Sequence, residues 1–204
     1  MKNYIWLNPV VVSSYDNKKI IDLLRAIDYE IVYPYNDYLK VVKEKYQALL
    51  KQDYSLPILD QRCPMIYDCF KQSDYQVIYH DIDPILIHTA KELADRSDLK
   101  DGYKWIITPC SSLKKMGNEL NLENTIFLTW DEFIQYHNLE IEGHSLTDSP
   151  IPFGFFDELE KYIIYVDDHN INQLNLKDIR LIEGLYCGGG CHNGDGVKCL
   201  KTRK

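Results

Sequence analysis

Short apolar runs alternate along this chain with stretches in which apolar residues recur at helical spacing. The stretch from Asn17 to Ile27 is typical of the second kind, because Asp16 can cap it and its apolar side chains fall on one face. Thr129 and Glu132 have the spacing of a capping box at the start of another such stretch. This alternation predicts an α/β fold. The predicted strands cover residues 4–12, 30–33, 56–59, 104–108, 125–129, 162–166 and 180–185, and the predicted helices cover 17–27, 37–50, 65–71, 83–97 and 130–136.

The chain has 204 residues, of which 45% are hydrophobic and 26% charged, so it can fold around one core or two small lobes. A single unit over residues 1–204 is expected, with a lobe boundary between His80 and Gly102. The net charge of −8 argues against a general binder of nucleic acid or of anionic membranes. No apolar run approaches the roughly 18 residues of a membrane span, and no signal peptide is visible. A cytoplasmic location is therefore expected, in which the six cysteines are free or metal-bound.

Cysteines follow three of the predicted strands. The strands that begin at residues 56, 104 and 180 each run directly into a loop that holds one or two of them. In open α/β sheets, ligands bind beyond the carboxyl ends of the strands, so these thiols are expected to converge on one point. Their wide separation along the chain argues against a zinc ribbon or finger. The four candidate ligands are Cys63, Cys110, Cys187 and Cys191.

The surroundings of these cysteines add two expectations. Pro64 suits the first position of a helix, which places Cys63 at an N-terminal end where the helix dipole stabilises a thiolate. The stretch from Glu183 to Gly196 holds six of the chain's ten glycines, and such a loop can fold closely over a bulky inorganic cluster. A mobile glycine-rich loop, buried structural thiols and a four-thiolate zinc site are the alternatives that the residues leave open.

Three blocks of the sequence resemble the catalytic domain of iron-only ([FeFe]) hydrogenases and their non-hydrogenase relatives. Arg62-Cys63-Pro64 resembles the T-S-C-C-P block of that family. The stretch from Ile107 to Lys115, together with Leu128 to Phe133, resembles the M-P-C-x-x-K-x-x-E block and the L-T-x-x-E-L segment that follows it. The stretch from Glu183 to Gly196 resembles E-x-M-x-C-x-x-G-C-x-x-G-G-G.

The resemblance implies two small α/β lobes, with mostly parallel sheets and an iron–sulfur cluster between them. It implies that Cys63, Cys110, Cys187 and Cys191 bind a [4Fe-4S] cubane. Cys191 holds the position that in true hydrogenases also bridges to a di-iron subsite.

The departures from the family pattern fall on the residues of hydrogen chemistry. The proton-shuttling cysteine of the family is Arg62 here, and an arginine stays charged near neutral pH. In the family, a lysine holds a cyanide ligand of the di-iron subsite; this chain has Leu113 at that position, and its nearest lysine, Lys114, is the next residue. The methionine of the third block is replaced by Leu185. No ferredoxin-type cysteine run precedes the first block. Hydrogenase activity is therefore not expected.

These patterns favour an iron–sulfur protein that acts in electron transfer, in redox sensing or as an accessory to a redox enzyme. A cubane with four thiolate ligands has no open iron, and a ferredoxin or an enzyme subunit is the expected partner. One alternative is a cluster-dependent reductase or lyase with its substrate in the vacated di-iron cleft, where Arg62 would bind a carboxylate or phosphate and His192 would be the acid. Another alternative is a structural or interaction protein with a zinc staple.

A few further residues carry weaker expectations. Cys69 is expected in the core, and Asp167-Asp168-His169 in an ordinary loop after a strand. Lys114 and Lys115 would either offset the negative charge of a cluster or lie solvated. Cys199 would be a fifth ligand, a labile thiol or part of a tail without a role.

Overall fold

The computed structural model describes residues 1–197, and its strands form two separate sheets. The strands are β1 (Lys2–Trp6), β2 (Tyr29–Ile31), β3 (Ile58–Leu59), β4 (Gly102–Thr108), β5 (Thr125–Thr129), β6 (Ile163–Val166) and β7 (Leu181–Gly184). The larger sheet has the order β2-β1-β4-β5, and the smaller has the order β3-β7-β6. Every neighbouring pair in these two sheets is parallel, which confirms the predicted α/β class.

Residues 167–180 join β6 to β7 without a helix, whereas each other connection between consecutive strands contains one or two helices. The helices are α1 (Pro9–Ser14), α2 (Asn17–Ala26), α3 (Tyr38–Leu50), α4 (Pro64–Lys71), α5 (Ile85–Asp95), α6 (Ser111–Glu119) and α7 (Trp130–Tyr136), with short 3₁₀ turns at Ser97–Leu99 and Cys191–Asn193. Within residues 1–197, none of these helices has the length and apolar character to cross a membrane.

Local capping chemistry explains where several helices begin. The Asp16 carboxylate accepts the Lys19 N–H at 2.9 Å and caps α2. Thr129 and Glu132 form the predicted capping box at the start of α7, each side chain accepting the backbone N–H of the other. The predicted helix start at Pro64 is also confirmed.

Two sequence-based assignments differ from the structure. The strand predicted over residues 4–12 is wrong beyond Trp6, because Pro9 begins α1 and the Asn8 side chain accepts the Val10 N–H at 2.9 Å. The proline and the cap thus override the strand preference of the valines that follow. Helix α6, which begins directly after Cys110, was not predicted.

The chain passes between the two sheets three times. It builds β1 and β2 of the larger sheet, then β3 of the smaller, returns for β4 and β5, and ends in β6 and β7. The expected lobe boundary between His80 and Gly102 coincides with the second passage, which carries α5. Each lobe is therefore made of two separated parts of the chain, and no single boundary divides them.

Each sheet separates two hydrophobic cores. On β1, Ile5 faces one core of the larger sheet and Tyr4 faces the other, as alternation along a strand requires. On the smaller sheet, Ile182 and Leu181 of β7 face opposite cores in the same way. With both faces covered, the carboxyl ends of the parallel strands are where side chains can reach a shared site.

Candidate metal centre

A cavity of about 550 Å³ lies beyond the carboxyl ends of strands β3, β4 and β7. Its lining includes Cys63, Cys110, Cys187 and Cys191, each of them partly buried. No two of the five cysteines that the structure describes are joined by a disulfide. The fold thus brings the four candidate ligands to one cavity, as the order of strands and loops predicts.

The four thiols lie close enough to influence one another's ionisation. Burial raises the pKa of Cys191, and the charges of Cys63, Cys110 and Cys187 raise it further. Burial likewise raises the pKa of Cys110 to about 11. Four thiolates in one partly buried cavity are therefore unfavourable unless positive charge joins them, and metal ions supply such charge.

Cys63 lies at the N-terminal end of α4, where Pro64 occupies the first helical position. Burial dominates at this position and raises the pKa of Cys63, so the stabilised thiolate expected here stays a prediction. The nearby backbone N–H groups of Met65, Ile66 and Tyr186 lower the pKa and partly offset burial. The same donors would stabilise the sulfur of a metal-bound thiolate.

Cys110 occupies the equivalent position at the start of α6. The backbone N–H of Leu113 lies near its sulfur and lowers the pKa of the thiol against the effect of burial, although neither cysteine side chain forms a cap hydrogen bond. Helices α4 and α6 pack against each other. Two helix N-termini, with their partial positive charge, thus border the same cavity and favour an anionic occupant.

The segment from residue 187 to residue 197 folds through a series of turns that require glycine at two positions. Gly189 has φ of 80° and Gly190 has φ of 122°, conformations that residues with a Cβ rarely adopt. The Gly190 N–H donates to the Cys187 carbonyl at 2.8 Å, and Cys191 then begins a single 3₁₀ turn. These turns direct both cysteines to the cavity.

The far end of the 187–197 segment is fixed to the loop that carries Cys110. The Asp195 carboxylate accepts the Ser111 N–H at 2.9 Å and the Ser111 hydroxyl at 2.5 Å. The Gly196 N–H donates to the Pro109 carbonyl at 3.1 Å, and a Cβ on Gly194 would lie 2.4 Å from the same oxygen. Asp195 and Gly196 thus join the two cysteine loops.

Arg62 is buried, with its guanidinium held by two carboxylates. Its Nε donates to both oxygens of Asp60 at 3.0 Å, and its Nη2 donates to Asp60 at 2.9 Å and to Glu183 at 2.9 Å. The guanidinium also stacks on Phe155, with its central carbon 4.0 Å from the ring centroid. Burial alone would lower the pKa of Arg62, but Asp60 and Glu183 outweigh it and raise the pKa. Two of the three guanidinium nitrogens, Nε and Nη2, are thus already engaged by carboxylates, which leaves less of the group for a substrate carboxylate or phosphate.

His192, the second residue singled out as a catalytic candidate, does not line the cavity. Its Nδ1 is buried and has no hydrogen-bond partner within residues 1–197. Lys114, expected near a cluster, pairs with Glu132 at 2.5 Å, while Lys115 is exposed and lies 3.9 Å from Glu119. Leu113, which stands where the hydrogenase family has its lysine, does line the cavity.

The remaining residues discussed in the sequence analysis lie in the core, at the cavity, or beyond residue 197. Cys69 packs against the core of the smaller sheet and is not part of the cavity lining. Asp168 and His169 lie in a loop, as expected, but they also line the exposed rim of the cavity. Cys199 lies outside the described residues, so its expected roles stay predictions.

Sequence reasoning missed the two carboxylates that hold Arg62. Both are fully buried, and Glu183 also accepts the N–H groups of Gly154 and Phe155 at 3.2 and 3.1 Å. The available signal was a glutamate inside an apolar strand, since a charged residue in such a position is almost never buried without a partner.

The spacing of donor atoms bears on the type of metal. Among residues 1–197, no three or more side chains of His, Cys, Asp or Glu are arranged to hold a single metal ion. A tetrahedral zinc site with bonds of about 2.3 Å requires sulfurs about 3.8 Å apart. A multinuclear cluster instead binds each thiolate at a different iron, so its thiolates need not meet at one ion.

Comparisons of this chain with protein-family models, with curated proteins and with solved structures gave no match.

Proposed function

We propose that this protein binds a [4Fe-4S] cluster through Cys63, Cys110, Cys187 and Cys191. The observation that carries the proposal is the convergence of these four thiols, from three loops and two sheets, on one cavity. The resemblance of the same three loops to the cysteine blocks of [FeFe] hydrogenases supports this identity of the cofactor.

The surroundings of the cavity suit an anionic cluster. The cluster with four thiolates carries net negative charge, and the N-termini of α4 and α6 offer partial positive charge to it. Backbone N–H groups of Met65, Ile66, Tyr186 and Leu113 lie near cysteine sulfurs and lower the pKa of Cys63 and Cys110 against the effect of burial. When bound, the cluster would supply one-electron redox chemistry.

We infer that the cluster serves electron transfer, redox sensing or a partner redox enzyme, with no hydrogen turnover. Four cysteine ligands leave no iron open to a substrate. The exposed rim formed by Asp168, His169 and Asn193 puts the cavity at the surface, where a redox partner can approach. A substrate bound by Arg62 has less support, because Asp60 and Glu183 engage its guanidinium.

The test is the metal content of protein prepared without oxygen. The wild type should hold about four irons and four sulfides per chain, with broad visible absorbance. Substituting serine for Cys63 or Cys110 should lower both contents, since a ligand is lost. Cys69→Ser is the matched control, because Cys69 lies on the helix that follows Cys63 but outside the cavity.

Two results would overturn the proposal. Zinc without sulfide would support the zinc staple instead. An equal loss of iron in the Cys69 variant and in the variants of the cavity would show that the metal is not bound at this site.

A further inference from the structure

Asp60, Arg62 and Glu183 form a buried network beside the cavity. Two carboxylates and one guanidinium give it a net charge of −1 when all are ionised. The side chains of Asp60 and Glu183 are 0% exposed, and that of Arg62 is 7% exposed. Burial raises the pKa of Glu183, whereas Arg62 and two backbone N–H groups, which all donate to its carboxylate, favour the ionised form.

The network is joined to the cysteine loops of the smaller sheet. Arg62 directly precedes Cys63 and lines the cavity, and Glu183 lies on β7, the strand that leads into Cys187. The charges of the network also reach the thiols. The charge of Asp60 raises the pKa of Cys63, while that of Arg62 lowers the pKa of Cys191, although burial dominates at both thiols.

Resting on the cluster binding proposed above, we propose that the Asp60–Arg62–Glu183 network sets the reduction potential of the cluster. Reduction adds one electron, and therefore one negative charge, to the cluster. The guanidinium of Arg62 favours that added charge, whereas the carboxylates of Asp60 and Glu183 oppose it. Because the network is buried, solvent and salt screen these charges little.

The chain contains a matched control in the ion pair between Glu160 and Arg180. The Glu160 side chain is 8% exposed, and it lies 3.2 Å from the Arg180 guanidinium. It also accepts two backbone N–H groups, those of Lys161 and Tyr162. Glu160 thus has the same kinds of partner as Glu183, but its arginine partner, Arg180, does not line the cavity, whereas Arg62 does.

The experiment compares Glu183→Gln with Glu160→Gln in the cluster-loaded protein. Each is titrated with dithionite in the presence of redox mediators. An electrode reads the solution potential, and the visible absorbance reads the fraction of clusters that have gained one electron. Removing the Glu183 charge should raise the potential by about 59 mV, which is a tenfold change in the ratio of reduced to oxidised cluster. The Glu160 variant should keep the wild-type potential. The thermal unfolding temperature of the metal-free protein should fall in both variants, because each loses an ion pair between a buried glutamate side chain and an arginine.

Each outcome has a distinct meaning. An unchanged potential in Glu183→Gln, or an equal shift in both variants, overturns the proposal. Loss of the cluster from a folded Glu183→Gln protein also overturns it, because the network would then only position the cysteine loops. If Glu183→Gln does not fold, Asp60→Asn should raise the reduction potential in the same way. An unchanged potential in Asp60→Asn would then refute the charge effect. The iron and sulfide contents of the wild type are measured first. If both are absent, the proposed cluster binding is wrong, and the effect of the network on the potential is not the cause of the failure.

Discussion

Replacing Gly194 by alanine should separate the 187–197 segment from the loop that carries Cys110. The added Cβ would lie 2.4 Å from the Pro109 carbonyl oxygen and 3.1 Å from that of Cys191. Both are backbone atoms, so a clash with them cannot be relieved by a side-chain rotation. Overpacking of this kind costs about 1–3 kcal/mol. Alanine restricts the unfolded chain and returns about 0.4–1 kcal/mol, which leaves a net loss of about 1–2 kcal/mol.

Thermal unfolding of the metal-free protein, followed by circular dichroism, measures this loss. For a chain of this size, 1 kcal/mol corresponds to about 2–4 °C, so the unfolding temperature should fall by about 2–8 °C. Gly188→Ala is the matched control in the same segment, because its Cβ would lie 3.0 Å from Nε2 of His169, an exposed side chain that can move. An unchanged unfolding temperature in Gly194→Ala, or an equal fall in Gly188→Ala, would refute the reasoning. Iron content after anaerobic loading should fall in the Gly194 variant alone.

Two further predictions concern the fold around the site. Thr129→Ala should lower the free energy of unfolding, measured by urea denaturation, by about 1 kcal/mol, because the hydroxyl that accepts the Glu132 N–H is lost. Thr129→Ser keeps a hydroxyl and should retain most of this free energy. Equal free energies of unfolding in the two variants would argue against the cap. His80 donates from Nε2 to the Leu59 carbonyl and accepts the Ile82 N–H at Nδ1, so its ring is neutral, and burial lowers its pKa. The unfolded chain therefore binds the proton more readily, and stability should be lost as the pH falls below about 6.5. His80→Gln should reduce the slope of stability against pH, and a slope equal to that of the wild type would contradict this origin.

Local chemistry made much of the fold predictable. Three helix starts could be identified from Asp16, Pro64 and the Thr129/Glu132 pair, because a cap or a proline affects only the backbone of the next few residues. Helix α6 was missed for the opposite reason. Its N-cap is Cys110, whose side chain forms no cap, and its first N–H group is instead accepted by Asp195, a residue far along the chain.

The candidate site was predictable as far as strand order determines it. Parallel strands place their carboxyl ends together, so the meeting of the two cysteine loops of the smaller sheet follows from the sequence, whereas the loop after β4 belongs to the other sheet. The pairing of Arg62 with Glu183 could not be predicted in this way, because Glu183 is distant in the chain and its position depends on the pairing of β7 with β3. The glycines were interpreted as room for a cluster, yet a Cβ on Gly194 or Gly196 would meet Pro109 or Thr129. Part of the glycine density therefore serves contact between loops.

The division of the thiols between two sheets has a consequence for maturation. Cys63 and Cys187 follow strands of the smaller sheet, whereas Cys110 follows the larger one and Cys191 packs against its core. Either sheet alone presents only two thiols, which cannot enclose a cubane. A scaffold protein that delivers a preassembled cluster would therefore find an acceptor only after the two sheets have docked, so loading would be a late step of biogenesis.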